Sequence, residues 1–251
     1  MTDTLPRPGS NGARPPNERR FLQGPQARGS ELWRAFRIFT EFIGGFRKLH
    51  FVGPCVTVFG SARFGEDHAY YKLGREVGYH LAKAGFTVMT GGGPGIMEAA
   101  NRGAKDAGGH AVGCTIDLPG EQGTNPYLDT VVDFQHFFVR KVMLVKYSYA
   151  FVALPGGFGT LDEVFETATL VQTAKILDFP IVLMGSEFWT PVLDTLRNTL
   201  AKEGTIGPED LELLQLTDSP GTAVEHIRGA ATRRFGLTYG PRPKRSWLFR
   251  E

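Results

Sequence analysis

Three times in this chain a short, mostly apolar run ends in a glycine turn and gives way to a helix-forming stretch. Val56-Thr-Val-Phe59 runs into Gly60-Ser-Ala-Arg63, and Phe86-Thr-Val-Met-Thr90 into Gly91-Gly-Gly-Pro-Gly95. Tyr149-Ala-Phe-Val-Ala-Leu154 runs into Pro155-Gly-Gly-Phe-Gly-Thr-Leu-Asp-Glu163. Near-continuous apolar runs suit strands buried on both faces, and the amphipathic segments between them suit crossover helices. Further strands are expected at Ala111–Ile116, Thr130–Phe134, Pro180–Met184 and Leu213–Thr217. Helices are expected at Tyr70–Ala84, Ile96–Ala107, Phe137–Tyr147, Val164–Thr173, Trp189–Glu203 and Gly221–Arg233. This alternation predicts an α/β fold, a doubly wound parallel sheet with helices on both faces.

With 251 residues the chain fits one such domain with extensions. Residues 1–28, rich in Pro, Gly, Arg and Asn, read as a disordered arm, residues 29–240 as a single domain, and 241–251 as a basic tail. Within 29–240, Ser30–Phe51 carries Leu32, Phe36, Phe39, Ile43 and Phe46 at three- and four-residue steps. That is one face of a helix, packed on the domain or on a second subunit, with Gly44-Gly45 as a point of weakness. A net charge of +2 gives no general attraction to polyanions, so no nucleic-acid partner is expected. The absence of a long apolar run and the polar, proline-rich start point away from a membrane and a signal peptide. Cys55 and Cys114 show no CxxC or metal spacing and read as buried, reduced thiols of a cytoplasmic protein.

In doubly wound sheets ligands bind beyond the carboxyl ends of the strands, where all three glycine turns fall. Two dense glycine turns on one edge aim backbone N–H groups and helix starts at a common crevice. The spacing is not a dinucleotide fingerprint, since Gly60-Ser-Ala-Arg-Phe-Gly65 lacks the second glycine, and no GxxxxGK[ST] is present. The turn at 155–163 combines an anion cradle, built on Gly156, Gly157 and Gly159, with a carboxylate. Two readings of Glu163 stay open. Thr160-Leu-Asp-Glu163 is a capping box by spacing, with Thr160 as the cap; alternatively Glu163 acts on a ligand one sugar away from a bound phosphate. Arg140 and Lys141 lie in a largely apolar helix, where either can extend to the surface. In the alternative, Arg140 faces the crevice and pairs with phosphate, substrate or Glu163. His136 has no partners at metal spacing and Ser61 no nucleophile context; for Ser61 a phosphate- or ribose-contacting hydroxyl is expected.

Gly91-Gly-Gly-Pro-Gly-Ile-Met-Glu98, Arg140-Lys141 and Pro155–Glu163 together resemble the GGGxxGxM, RK and PGGxGTxxE motifs of the LOG (Lonely Guy) family. The resemblance runs from about Val56 to Trp189. Leu118–Tyr127 and Phe137–Lys141 further resemble a longer bacterial branch. The resemblance implies a Rossmann-like, dimeric or higher-order phosphoribohydrolase that cleaves the N-glycosidic bond of a cytokinin riboside 5′-monophosphate or AMP, with no metal or other cofactor. By position it implies Arg140 and Glu163 as the catalytic pair, with Lys141, Gly157, Gly159, Thr160 and Thr169 on the substrate. Ser61, Gly93, Met97 and Glu121 are further substrate positions on the same ground. On physical grounds Arg140 is expected to orient Glu163 and the substrate, its charge keeping the carboxylate ionised. A non-hydrolytic carrier of a nucleotide or of molybdenum cofactor is the competing reading. Lysine decarboxylation, a label the family often carries, needs pyridoxal phosphate on a lysine.

Overall fold

The computed structural model describes residues 21–22, 24–25, 27–116 and 123–235. Most of the N-terminal arm, the tail 241–251 and Glu121 lie outside them. Seven parallel strands form one sheet: β1 (Cys55–Phe59), β2 (Thr87–Thr90), β3 (Ala111–Ile116), β4 (Thr130–Phe134), β5 (Ser148–Ala153), β6 (Ile181–Leu183) and β7 (Leu214–Leu216). Their order is β4-β3-β2-β1-β5-β6-β7, all neighbours parallel. The chain therefore winds outward from β1 to β4, then returns to the other side of β1 as β5. This is the expected Rossmann-like doubly wound sheet, with its switch point between β1 and β5.

Alternation along each strand splits the core in two. Cys55, Phe59, Met89, Phe151 and Ile181 face one layer, and Val56, Val58, Val88, Val152 and Val182 the other. The first layer is covered by α1 (Arg28–Leu49), α4 (Phe137–Lys146), α5 (Phe158–Gln172) and α6 (Ser186–Thr195). The second is covered by α2 (Ala69–Lys83), α3 (Ile96–Asp106) and α7 (Pro220–Phe235). The two helices α2 and α3 meet backbone to backbone. A Cβ on Gly78 would come within 2.0 Å of the Ala100 carbonyl oxygen, and one on Gly103 within 1.9 Å of that of Arg75.

Two helix boundaries need correction, and most of one expected helix face lies off the core of this chain. The helix after β5 starts at Phe158, not Val164, because Gly157 serves as its N-cap and the helix begins inside the glycine motif. The stretch expected as one helix over 189–203 begins at Ser186 and passes into a wider π turn at Leu196–Ala201. On α1, Leu32, Phe36, Phe39 and Ile43 are exposed in this chain, and of the expected face only Phe46 packs on the core. The packed face is instead Ile38, Phe42, Gly45 and Leu49. Gly45 does not end the helix, which continues to Leu49; its bare Cα lies where a Cβ would sit 3.0 Å from the Met143 methyl and 3.1 Å from the Phe134 ring. Among the described residues no helix is long and apolar enough to cross a membrane.

Candidate active site

At the switch point the turns after β1, β2 and β5 are stitched together through one residue. Ser61 N–H donates to the Pro155 carbonyl at 3.0 Å, and the Ser61 carbonyl accepts from Ile96 N–H, the first residue of α3, at 3.0 Å. Gly95 makes this contact possible. It has φ +69°, and a Cβ there would lie 2.4 Å from the Ser61 carbonyl oxygen. Above the stitched turns opens a crevice of about 1230 Å³, at or beyond the upper end of typical small-ligand sites. Ser61, Gly91, Gly93, Met97, Arg140, Gly157, Gly159, Thr160 and Glu163 all line it, so most of the candidate residues converge.

Arg140 reaches the crevice from the first turn of α4. Its Nε–H donates to the Cys114 carbonyl at 2.7 Å, which anchors the guanidinium at the end of β3. The group lies over Gly91, whose missing side chain makes the room: a Cβ would meet Nη2 at 2.4 Å. The chain thus reads Arg140 as crevice-facing rather than snorkelling. Across the crevice, the Gly157 carbonyl accepts from Thr160 and Leu161 N–H at 3.0 and 3.1 Å. The first N–H groups of α5 have no intrahelical acceptor and face out of the helix start, an arrangement suited to an anion. Half-buried Gly156 precedes this start; the Thr160 hydroxyl lies against it, 2.1 Å from where its Cβ would be.

Glu163 is in the second turn of α5 and only 5% exposed. The capping box does not form: Gly157 is the cap, Thr160 is already helical, and Glu163 Oε2 is buried with no hydrogen-bond partner among the described residues. Burial pushes its carboxyl up to about 7, while the Lys141 and Arg140 charges pull it down and Glu166 and Asp162 push it further up. The expectation that Arg140 keeps this carboxylate ionised is corrected accordingly: its charge acts in that sense, but desolvation outweighs it.

Lys141 and Thr169 are not brought to the crevice of this chain. Lys141 Nζ lies 2.9 Å from Asp162 and 2.5 Å from Glu166, pinning α4 to α5. Burial works against its charge, but the two carboxylates hold the Lys141 ammonium above its usual range. Thr169 is exposed and its hydroxyl donates to the Phe165 carbonyl at 2.8 Å. Pyridoxal chemistry does not fit these residues. A Schiff-base lysine needs a lowered pKa and a place in the site, and the described crevice lining contains no lysine.

One polar network escaped the sequence reading. Gly92 N–H donates to Thr90 Oγ1 at 2.9 Å, and Thr90 donates to Asn101 Oδ1 at 2.7 Å. Asn125 Nδ2 reaches Asn101 Oδ1 at 3.1 Å and the Gly93 carbonyl at 3.0 Å. These fully or largely buried groups hold the Gly91–Gly95 turn in shape. An asparagine in mid-helix at 101 was the available signal, since such a residue is costly unless its amide is bonded.

Fold and site define a doubly wound α/β protein whose glycine-walled crevice holds a buried carboxylate and an anchored arginine. The family model described as "possible lysine decarboxylase" matches residues 97–227. The chain belongs to that family, the LOG family. It is 30% identical over 166 residues to cytokinin riboside 5′-monophosphate phosphoribohydrolase LOG3 of Arabidopsis thaliana, covering 63% of this chain and 74% of the relative. To the enzyme of that name, LOG, of Oryza sativa subsp. japonica it is 30% identical over 168 residues, covering 66% and 68%. Among solved structures, the molybdenum cofactor binding protein of Rippkaea orientalis shares the fold with TM-score 0.53 and 24% identity, covering 70% of this chain and 96% of that one. The molybdenum cofactor carrier protein of Chlamydomonas reinhardtii does so with TM-score 0.51 and 23% identity, covering 72% and 99%.

Proposed function

We propose that this protein hydrolyses the N-glycosidic bond of a nucleoside 5′-monophosphate, a cytokinin riboside monophosphate or AMP, to free base and ribose 5-phosphate. The observation that carries the reading is Glu163, a buried carboxyl with a pKa of about 7 at the wall of a crevice that also presents a helix start. The named activity of the plant relatives supports it.

In this reading the 5′-phosphate sits on the turn Gly157–Thr160, where the α5 start favours negative charge. Binding there, remote from the reacting bond, positions the ribose. As the bond to the base breaks, positive charge grows on the ribose ring, and the Glu163 carboxylate offsets it. A base works best with a pKa near the operating pH, and Glu163 meets that condition for activating the attacking water. Arg140, fixed by Cys114, orients substrate and Glu163. Ser61, Gly93 and Met97 line the rest of the ligand's path.

Incubation with AMP and with isopentenyladenosine monophosphate is expected to release base and ribose 5-phosphate, followed by chromatography. Glu163→Gln abolishes release while nucleotide still binds. Recovery of bound nucleotide intact after prolonged incubation with the unaltered protein would replace this reading with that of a carrier.

A further inference from the structure

α1 precedes the stretch 97–227 that the family model matches, yet it touches the crevice wall. It runs alongside β4 and α4 and is fastened differently along its length. Toward its C-terminus the fastening is mostly apolar: Leu49 is buried in the core, with Phe46 packed against it, and the Tyr147 hydroxyl reaches the Phe46 carbonyl at 3.3 Å. Two turns earlier, in mid-helix, it is polar and close to the site. Glu41 Oε1 accepts from Gln135 N–H at 2.8 Å and from His136 N–H at 3.1 Å, and Oε2 lies 2.6 Å from His136 Nδ1. Arg37 Nη2 donates to Gln135 Oε1 at 3.0 Å, and Gln135 lines the crevice.

His136 is the N-cap of α4, and its own side chain makes no capping bond. A helix start carries unsatisfied N–H groups and partial positive charge, so a carboxylate there stabilises it. Glu41 supplies that carboxylate from another helix, 95 residues away in sequence. The first intrahelical bond of α4 is Arg140 N–H to the His136 carbonyl, at 3.2 Å. The corner that Glu41 holds therefore determines where the turn bearing Arg140 begins. His136 is 2% exposed, so removing the carboxylate leaves its buried ring nitrogen without this partner.

We infer that Glu41 is a positioning residue for the reaction, and that α1 works as a strut which sets Arg140 and Gln135 in the crevice. This deepens the hydrolase reading and rests on it for the effect on rate. Arg140 itself is the substrate-facing group; Glu41 acts through it.

The test uses the full chain with Glu41→Ala, Glu41→Asp and Glu41→Gln. Turnover of AMP is measured alongside thermal melting and the water-exchange rate of the Arg140 Nε–H proton, assigned by NMR against Arg140→Lys. Glu41→Ala is expected to lower kcat by about 10- to 100-fold, the scale of a displacement of order 1 Å, with a smaller change in KM. Its Arg140 Nε–H exchanges faster than in the unaltered protein. Glu41→Gln keeps an acceptor oxygen for both N–H groups and restores most of kcat and the slow exchange. If Glu41→Ala does not fold, Glu41→Asp decides, since it keeps the charge but withdraws the carboxylate; a fall of about tenfold is expected. Lowered melting temperature with unchanged kcat and unchanged exchange overturns the inference. If the unaltered protein releases no base from any nucleotide, the hydrolase reading fails. The exchange rates still decide the strut, and equal rates with and without Glu41 overturn it.

Discussion

Glu163→Gln should make the protein more stable as well as inactive, and the gain should follow pH. The carboxyl has an ordinary value of 4.5 and is raised to about 7 in the fold, chiefly by burial. Between those values the folded chain holds a proton that the unfolded chain has released, so stability falls as pH rises through the window. Above pH 7 the cost is complete. At about 1.4 kcal/mol for each pKa unit it amounts to about 3 kcal/mol. The amide has the same shape and never ionises, so it avoids this cost at every pH. Urea unfolding of both proteins from pH 4 to pH 8.5 measures the difference. It should be smallest below pH 4.5, rise between 4.5 and 7, and level off about 3 kcal/mol higher. At pH 8 that corresponds to a melting temperature higher by roughly 6–12 °C for a folded unit of this size. Any fixed offset from burying the amide moves the whole curve without changing its slope. A difference independent of pH, or one that shrinks as pH rises, would refute the assignment of Glu163 as a desolvated carboxyl.

The same carboxyl sets the acid limb of activity: kcat/KM should rise with pH through about 7, and Lys141→Met should move that limb upward, because the Lys141 charge is the foremost influence lowering the Glu163 pKa. A pH–rate profile of the two proteins checks this, and a limb that stays in place or moves down counts against it. Gly103→Ala should destabilise the fold by about 1–3 kcal/mol or more, since its Cβ would meet backbone rather than a side chain that can turn away. Urea unfolding measures it, and a change under about 0.5 kcal/mol would show that α2 and α3 can part without cost.

The strands were legible because each is a short apolar run closed by glycine or a polar turn, as in Val56–Phe59 and Ala111–Ile116. The convergence of the three glycine turns followed from parallel winding alone. The packed face of α1 was not legible for a physical reason: its apolar arc, close to half the circumference, is wider than the strip the sheet covers. The series 32, 36, 39, 43 and the series 38, 42, 45, 49 both have helical spacing, and only the sheet decides between them. The capping box failed because Thr-x-x-Glu spacing cannot reveal that a glycine three residues earlier has already begun the helix. Pairings across the fold left no local trace either. Glu41 with His136, Asn101 with Asn125, and Lys141 with Asp162 and Glu166 join residues that share no periodicity.

Ser61 ties three turns together using only its main chain, and its side chain takes no part in that tie. The hydroxyl accepts a single bond from the exposed Arg63 N–H, at 3.1 Å, which water can replace. Position 61 is therefore an interchangeable slot on the crevice wall. Alanine there removes a hydroxyl from the crevice wall while both main-chain ties stay in place.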